Sequence, residues 1–343
     1  MPSPSTTSSP APSTAPAPAA SPPRRAGLPL LSALRRSYDR HWYAWAMCLP
    51  VAVVLVLVVG YPLVQGLYLT FTDANSLNVG RTIGVNHIPD SFHWIGLRNY
   101  IDVLTGPDNQ FWPHFVWTLI WTFGCVAITY GIGLGLAVLL NRPMRGRTVY
   151  RLLLILPWAV PTFVTVFSWR LILADNGAVN QLLHALHLGQ PSWLSDPFAQ
   201  RVAAIAVNVW VGVPFQMVSL LGGLQSIPDS LYEAAEMDGA SPWQRFRYVT
   251  LPGLRPVSST VILLGVIWTF NQFNVIYLLF GSTDSDGVQI LVTYAYRLFF
   301  GQQPQDYAGA ATVGMLCLSL LIVFTSVYRR WLARAQAEEG VWS

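Results

Sequence analysis

The sequence predicts an all-α integral membrane protein with six transmembrane helices, and two observations carry that reading. Of 343 residues, 53% are hydrophobic and only 10% are charged. Soluble domains carry roughly 25% charged residues, so this chain cannot cover a water-facing surface. The apolar residues are also gathered into long runs. About 20 apolar residues cross the core of a bilayer as a helix. Six runs reach that length, at about 45–70, 114–140, 151–174, 201–224, 257–281 and 307–329, with charges confined to their ends. The three cysteines, Cys48, Cys125 and Cys317, are far apart in apolar sequence and read as small hydrophobes.

Taken in order, residues 1–40 form a Pro/Ala/Ser-rich segment. Its first 26 residues have almost no large apolar side chains, so disorder is expected. A signal peptide is not expected, because the first apolar run begins near Trp45 and is too long for one. Residues 41–113 hold the first span and an outer connection, about 71–113, that carries the aromatic stretch "FHWIGLRNY". Residues 114–335 hold the remaining spans, and 336–343 form a short tail.

Arginine sets the direction of threading. All 20 basic residues are arginine, and lysine is absent. Fifteen lie in the N-terminal segment, the second and fourth connections and the tail; five (Arg81, Arg98, Arg170, Arg201 and Arg297) lie on the alternate side. Basic residues stay in the cytoplasm. Both termini and the connection at 225–256 are therefore expected there, in a multi-pass protein of a bacterial cell membrane.

That connection contains "EAAEMDGASPWQRFRYVTLP", residues 233–252. Ser230 precedes Glu233 by three residues, a capping-box spacing, so a short helix is expected from Leu231 to Asp238, ending at Gly239. Ser241, Pro242 and Gln244 repeat the start signal. Leu251-Pro252 is expected to end the second piece, because proline supplies no amide. Two short helices with a sharp bend need something to dock on. The acids Glu233, Glu236 and Asp238 favour a protein partner over anionic lipid. A plain capped loop between two spans fits the same residues.

Polar residues inside spans turn toward protein or water-filled cavities. Asn208, Gly212, Gln216 and Ser219 share one face of the fourth span. Asn271 and Asn274 share a face of the fifth. Trp158 and Thr162 follow Pro157 and Pro161 in the third, and those prolines are expected to bend it. Amides, hydroxyls and flat aromatic rings suit a neutral sugar; the same groups also serve as helix–helix packing.

Other classes find less support. A P-loop needs a lysine, so this chain holds no standard one. No span interior has a carboxylate, which weakens an ion-coupled carrier. No HExxH, GxSxG or Cys/His pair marks an enzyme. His184 and His187 alone are too few for a metal site. No cofactor, metal or nucleic-acid partner is expected.

Glu233-Ala234-Ala235, Gly239 and Leu251-Pro252 resemble the "EAA" signature of ABC-importer permeases. The stretches "YRLLLILPWAVPTF", "WLSDP", "NVWVGVPFQM", "TFNQFN" and "LVTYAYRLFFGQQPQDYAGAA" follow the order seen in permeases of the maltose/maltodextrin type, over about residues 92–330. The resemblance implies a MetI-like permease core whose "EAA" element is a cytoplasmic coupling helix, seated on an ATPase subunit through Glu233, Ala234, Ala235, Gly239, Leu251 and Pro252. It implies a sugar site at Trp158, Thr162, Val211, Gly212, Phe215, Phe270, Asn271 and Asn274. It also implies partners: a second homologous permease, two ATPase copies that hydrolyse the ATP, an extracytoplasmic sugar-binding protein, and membrane lipid around the spans. The departures are Val249 for isoleucine, Trp158 for tyrosine, Thr162 for serine and Ile267 for a polar residue. There is also no large insert in the outer connection. They leave maltose, maltodextrin, trehalose or a related glucoside as the expected cargo. The alternative reading is a secondary, ion-coupled sugar carrier. A membrane scaffold would leave the polar faces without a role.

Overall fold

A computed structural model describes residues 42–43, 46–84, 86–106, 110–281 and 287–340. The expected disorder of residues 1–40 and the last residues of the tail lie outside that set. The chain divides into two compact units, residues 1–62 and 63–343.

In the first unit and just beyond it, α1 (Ala46–Leu69) is an apolar helix long enough to span a membrane. In the second unit, residues beyond α1 form a small module that the apolar runs did not foretell. Strands β1 (Arg81–Ile83) and β2 (Asn86–Ile88) pair antiparallel, with Thr82 opposite His87. Helix α2 (Arg98–Thr105) comes next. The aromatic stretch is tied down here. Trp94 stacks on Phe71 with ring centroids 5.0 Å apart. The Asn99 amide donates to the carbonyls of Thr70 at 2.8 Å and Thr72 at 2.7 Å.

Five helices are long and apolar enough to cross a membrane, or six if one bent pair counts as a single span. Helix α3 (Phe111–Asn141) is unbroken. The third run is the bent pair: α4 (Arg147–Ala159) meets α5 (Thr162–Ile172) at 93°. Val160 between them is extended, at φ −81° and ψ 136°. It precedes Pro161, whose ring disfavours the helical region for its neighbour. The expected single helix is therefore two. A short helix, α6 (Ala178–Ala185), leads to α7 (Pro197–Gln225). The Asp196 side chain caps α7 by accepting from Ala199 N at 2.8 Å, and proline opens it.

The connection at 225–256 differs from expectation twice. Helix α8 runs Asp229–Met237 with Pro228 at its cap and no side-chain cap bond. Ser230 thus falls inside the first turn, and its capping box does not form, because extended Pro228 already sets the start. Gly239, at φ +77°, ends the turn after α8. Ala240 N donates to Ala235 O at 2.9 Å and Gly239 N to Glu236 O at 3.0 Å, the paired bonds of a Schellman ending. Helix α9 (Pro242–Arg245) then starts with the expected Ser241–Gln244 capping box. Leu251-Pro252 does not end it. A π-turn over Phe246–Thr250 widens the ladder, Leu251 N bonds back to Phe246 O, and α10 (Leu251–Phe270) continues with Pro252 in its first turn. The wider ladder of the π-turn accommodates the missing proline amide without ending the helix.

The fifth run breaks at Asn271-Gln272 before α11 (Phe273–Phe280). Helix α12 (Leu291–Tyr296) and a second π-turn lead to α13 (Tyr307–Gly340). The core is built around α3 and α7. Their N-terminal halves bury Trp121, Cys125, Ala203 and Val207 against Val275 and Leu279 of α11. Their C-terminal halves bury Leu140, Met217, Leu220 and Leu224 against Leu254 of α10. A third cluster joins Phe111, Phe270, Leu291, Val313 and Cys317. The two buried indoles find acceptors: Trp121 Nε1 donates to Thr269 O at 3.0 Å and Trp117 Nε1 to Val288 O at 2.9 Å. Buried tryptophan requires such a partner.

Candidate functional site

The break between α4 and α5 opens a cavity of about 270 Å³ against α3, α7 and α10. The cause is local. Two prolines four residues apart unwind one span, and the unwound backbone at Val160 leaves space that a straight helix would fill. One side of the cavity is aromatic. The rings of Trp158 and Phe215 lie 6.4 Å apart and those of Phe215 and Trp268 4.8 Å apart, neither pair parallel. The other side is polar and uncharged: Thr129, Thr162, Asn208, Gln216, Thr269 and Gln272.

Gln216 is the polar centre of this lining. It is 3% exposed, and its Oε1 has no hydrogen-bond partner among the described residues. An acceptor so deeply buried and unpaired costs on the order of 1–3 kcal/mol, which a ligand hydroxyl would relieve. Close helix packing sets where Gln216 sits. A Cβ on Gly133 of α3 would lie 2.8 Å from Gln216 Cβ and 3.1 Å from Met217 N, so α7 approaches α3 through the missing side chain. Thr129 Oγ1 donates to Cys125 O at 2.6 Å and so stays within its own helix.

Of the residues expected at a sugar site, Trp158, Thr162, Val211, Gly212 and Phe215 line this cavity together. Phe270, Asn271 and Asn274 do not. Phe270 is 4% exposed, within the third core cluster. Asn271 closes the last turn of α10, its amide donating to Ile267 O at 3.0 Å, and both asparagines face out of the subunit. Among the expected polar face, Asn208 and Gln216 join Gly212 in the lining, and Ser219 lies beyond it. Thr129, Gly265, Trp268 and Gln272 line the cavity without having been expected. Trp268 and Gln272 flank "TFN", whose own Phe270 and Asn271 lie outside the lining.

The second set of expected residues gathers at the opposite end of α7. Glu233, Ala234 and Gly239 are exposed, and Ala235 is half-buried. Leu251 is half-buried and Pro252 exposed at the start of α10. Two contacts tie helix α8 to α9 and to the π-turn that follows it. Arg245 Nη1 pairs with Glu236 Oε2 at 3.0 Å, and the hydroxyls of Tyr232 and Thr250 lie 3.1 Å apart. Beside them a cleft of about 490 Å³ is lined by Asn141, Arg142, Asp229, Glu233 and Glu236. Large apolar side chains stand out from this end: Met237 is 89% exposed and Trp243 66%. Trp243 stacks on Phe246 at 5.5 Å. His184 and His187 lie on or just after α6, and no cluster of metal-ligating side chains forms among the described residues.

Residues 127–338 match the family described as "Binding-protein-dependent transport system inner membrane component". The maltose/maltodextrin transport system permease protein MalF of Salmonella typhimurium (strain LT2) is 37% identical over 240 residues, covering 66% of this chain and 47% of MalF. The chain thus spans about half the length of that relative. The maltodextrin transport system permease protein MalC of Streptococcus pneumoniae (serotype 4, strain TIGR4) is 29% identical over 324 residues, covering 88% of this chain and 72% of MalC. Among solved structures, a chain of a bacterial ABC transporter involved in import of the acidic polysaccharide alginate superposes with a TM-score of 0.73. It shares 23% identity, covering 88% of this chain and 99% of that one; this likeness concerns the fold.

Proposed function

The chain belongs to the family of binding-protein-dependent transport system inner membrane components, and from that premise we propose that it is a membrane subunit of an ABC importer that carries a neutral sugar of the maltose or maltodextrin class. The observation that carries the cargo reading is the cavity at the α4–α5 break. Its wall of three aromatic rings suits the apolar faces of a sugar, and its amides and hydroxyls suit the hydroxyl groups. It has no charged residue in its lining, which disfavours an acidic sugar: a buried carboxylate needs a partner.

In this reading Trp158, Phe215 and Trp268 stack on the sugar, and Gln216, Thr162 and Gln272 bond its hydroxyls. Val211 and Gly212 shape the floor. Phe270, Asn271 and Asn274 belong to the turn that frames the path, and the two asparagines meet cargo or the second permease from outside this subunit. ATP is hydrolysed on separate subunits, in keeping with a chain that has no lysine. Glu233, Ala234, Ala235 and Gly239 form the coupling element at the cytoplasmic end, with Leu251 and Pro252 anchoring it to α10. The partners are a second permease, two ATPase copies and an extracytoplasmic binding protein. Movement of the docked ATPase pair alternates the access of the cavity between the two sides.

The test is sugar uptake by the reconstituted complex with Gln216→Leu and Trp158→Ala. Both should lower uptake of maltodextrins while ATPase stimulation by loaded binding protein persists. Gln216→Leu removes a hydrogen bond worth about 1–3 kcal/mol. Unchanged uptake in both variants, with normal assembly, would refute the cavity as the sugar site.

A further inference from the structure

A second hollow lies on the flank of α3 and α4, away from the sugar cavity. It measures about 560 Å³ and is almost wholly apolar, walled by Leu136, Leu139 and Leu140 of α3 and by Leu153 and Leu154 of α4. Met144, Arg145 and Tyr150 close its end. Leu139 and Leu153 are 51% and 59% exposed, so the hollow opens on the side where membrane-spanning helices face their surroundings.

Charge marks the mouth. Arg142, Arg145, Arg147 and Arg151 fall within ten residues, and residues 111–174 contain no Asp or Glu at all. One of the four is bonded within the chain, and another lines a different cleft. Arg142 lines the cleft that also holds Glu233 and Glu236. Arg151 Nη2 donates to Leu140 O at 3.1 Å and ties α4 to the end of α3, which holds the two walls together. Arg145 lines the hollow itself, and no carboxylate among the described residues pairs with it. An apolar slot with a guanidinium at its water-facing end matches one kind of molecule: a chain of methylenes ending in a phosphate. Guanidinium holds phosphate by two parallel hydrogen bonds, and basic pockets between spans take anionic headgroups.

We propose that the α3–α4 hollow binds one anionic phospholipid, with its phosphate on Arg145 and an acyl chain between Leu139 and Leu153. The inference rests on α3 and α4 spanning the membrane and is independent of the cargo. The lipid would brace the joint between α3 and the first arm of the broken span.

Native mass spectrometry of the purified chain with its co-purifying subunits, stripped of lipid in detergent, tests it. The complex is titrated separately with phosphatidylglycerol and phosphatidylcholine. Phosphatidylglycerol should bind at one saturable site and outlast phosphatidylcholine as collision energy rises. Arg145→Gln should weaken phosphatidylglycerol about fivefold, the effect of one basic residue near an anionic surface, and phosphatidylcholine by less, because its choline cation offsets the phosphate charge that Arg145 meets. Leu153→Trp, which fills the slot without changing charge, should remove the site for both lipids. Arg170→Gln, at the far end of α5, should change nothing. Equal retention of the two lipids, or selectivity that survives Arg145→Gln, would overturn the proposal. So would a cysteine at position 153 that cross-links to another subunit, since protein would then occupy the hollow.

Discussion

Gln216 owes its place to Gly133. The missing side chain at 133 lets α7 lie against α3, and Gln216 sits at the point of closest approach. Gly133→Val should therefore destabilise the subunit by about 1–3 kcal/mol through overpacking and tilt the cavity wall. Its check is a lowered thermal midpoint in detergent together with lost sugar binding. Asp306, just ahead of α13, gives a pH signature. Burial pushes its carboxyl above the ordinary range, and the bond that its Oδ1 accepts from Gly309 N at 2.8 Å only partly opposes this. A raised acid is neutral more readily in the folded state. Its contribution to stability is therefore complete below the ordinary carboxylate range and is lost as pH rises through its folded value. Asp306→Asn keeps an N-terminal cap without the charge, so it should flatten the fall in thermal midpoint over that interval. Arg98, Asp73 and Asp102 share its pocket and stay in place as the background. At this scale the sequence was partly legible. Trp158 and Thr162 were readable from the prolines before them, and Phe215 only through the resemblance carried by "WVGVPF". Thr129 and Gln272 were not, because a lone hydroxyl or amide in an apolar run has no periodicity until the neighbouring helix is in place.

Elements show where local signals suffice and where they compete. The Ser241–Gln244 capping box and the left-handed Gly239 are decided within five residues, and both formed as expected. Ser230 lost its cap to Pro228, one turn-former displacing another. Pro252 failed to stop a helix because a π-turn moved the ladder ahead of it, and nothing local announces a π-turn. The third span broke where its prolines stood, although apolar length alone argued for one helix. Gly239→Val tests the coupling element. No atom crowds the added Cβ, so the cost is the backbone's, about 1–2 kcal/mol. That should suffice to misalign α8 and α9. Transport should drop while sugar binding in the cavity is unchanged; normal transport would remove the bend from the mechanism.

For the whole molecule, composition and run length gave the class and the order of spans, whereas the outer hairpin was hidden in a polar stretch without alternation. Threading is open to a direct test. In a variant lacking the native cysteines, a cysteine at Leu77 should react with an impermeant thiol reagent in intact cells, and one at Met237 should not. Both side chains are well exposed on the subunit, at 68% and 89%; the reverse pattern would invert the topology. One element joins the two ends of that topology. From Pro242 to Phe270 the chain is continuously helical through α9, the π-turn and α10, with Trp243 near its start and Trp268 in the cavity wall. Twenty-five residues of helix separate them, about 38 Å. Tilting such a rod by about 5° about its inner end carries Trp268 sideways by roughly 3 Å, nearly the thickness of an aromatic ring. On the proposed sugar site, a small rotation imposed at the bend shifts the aromatic wall by a ring's thickness, and Leu254 in the buried cluster moves with it. The rod is a lever whose arm length is written in the number of residues between two tryptophans.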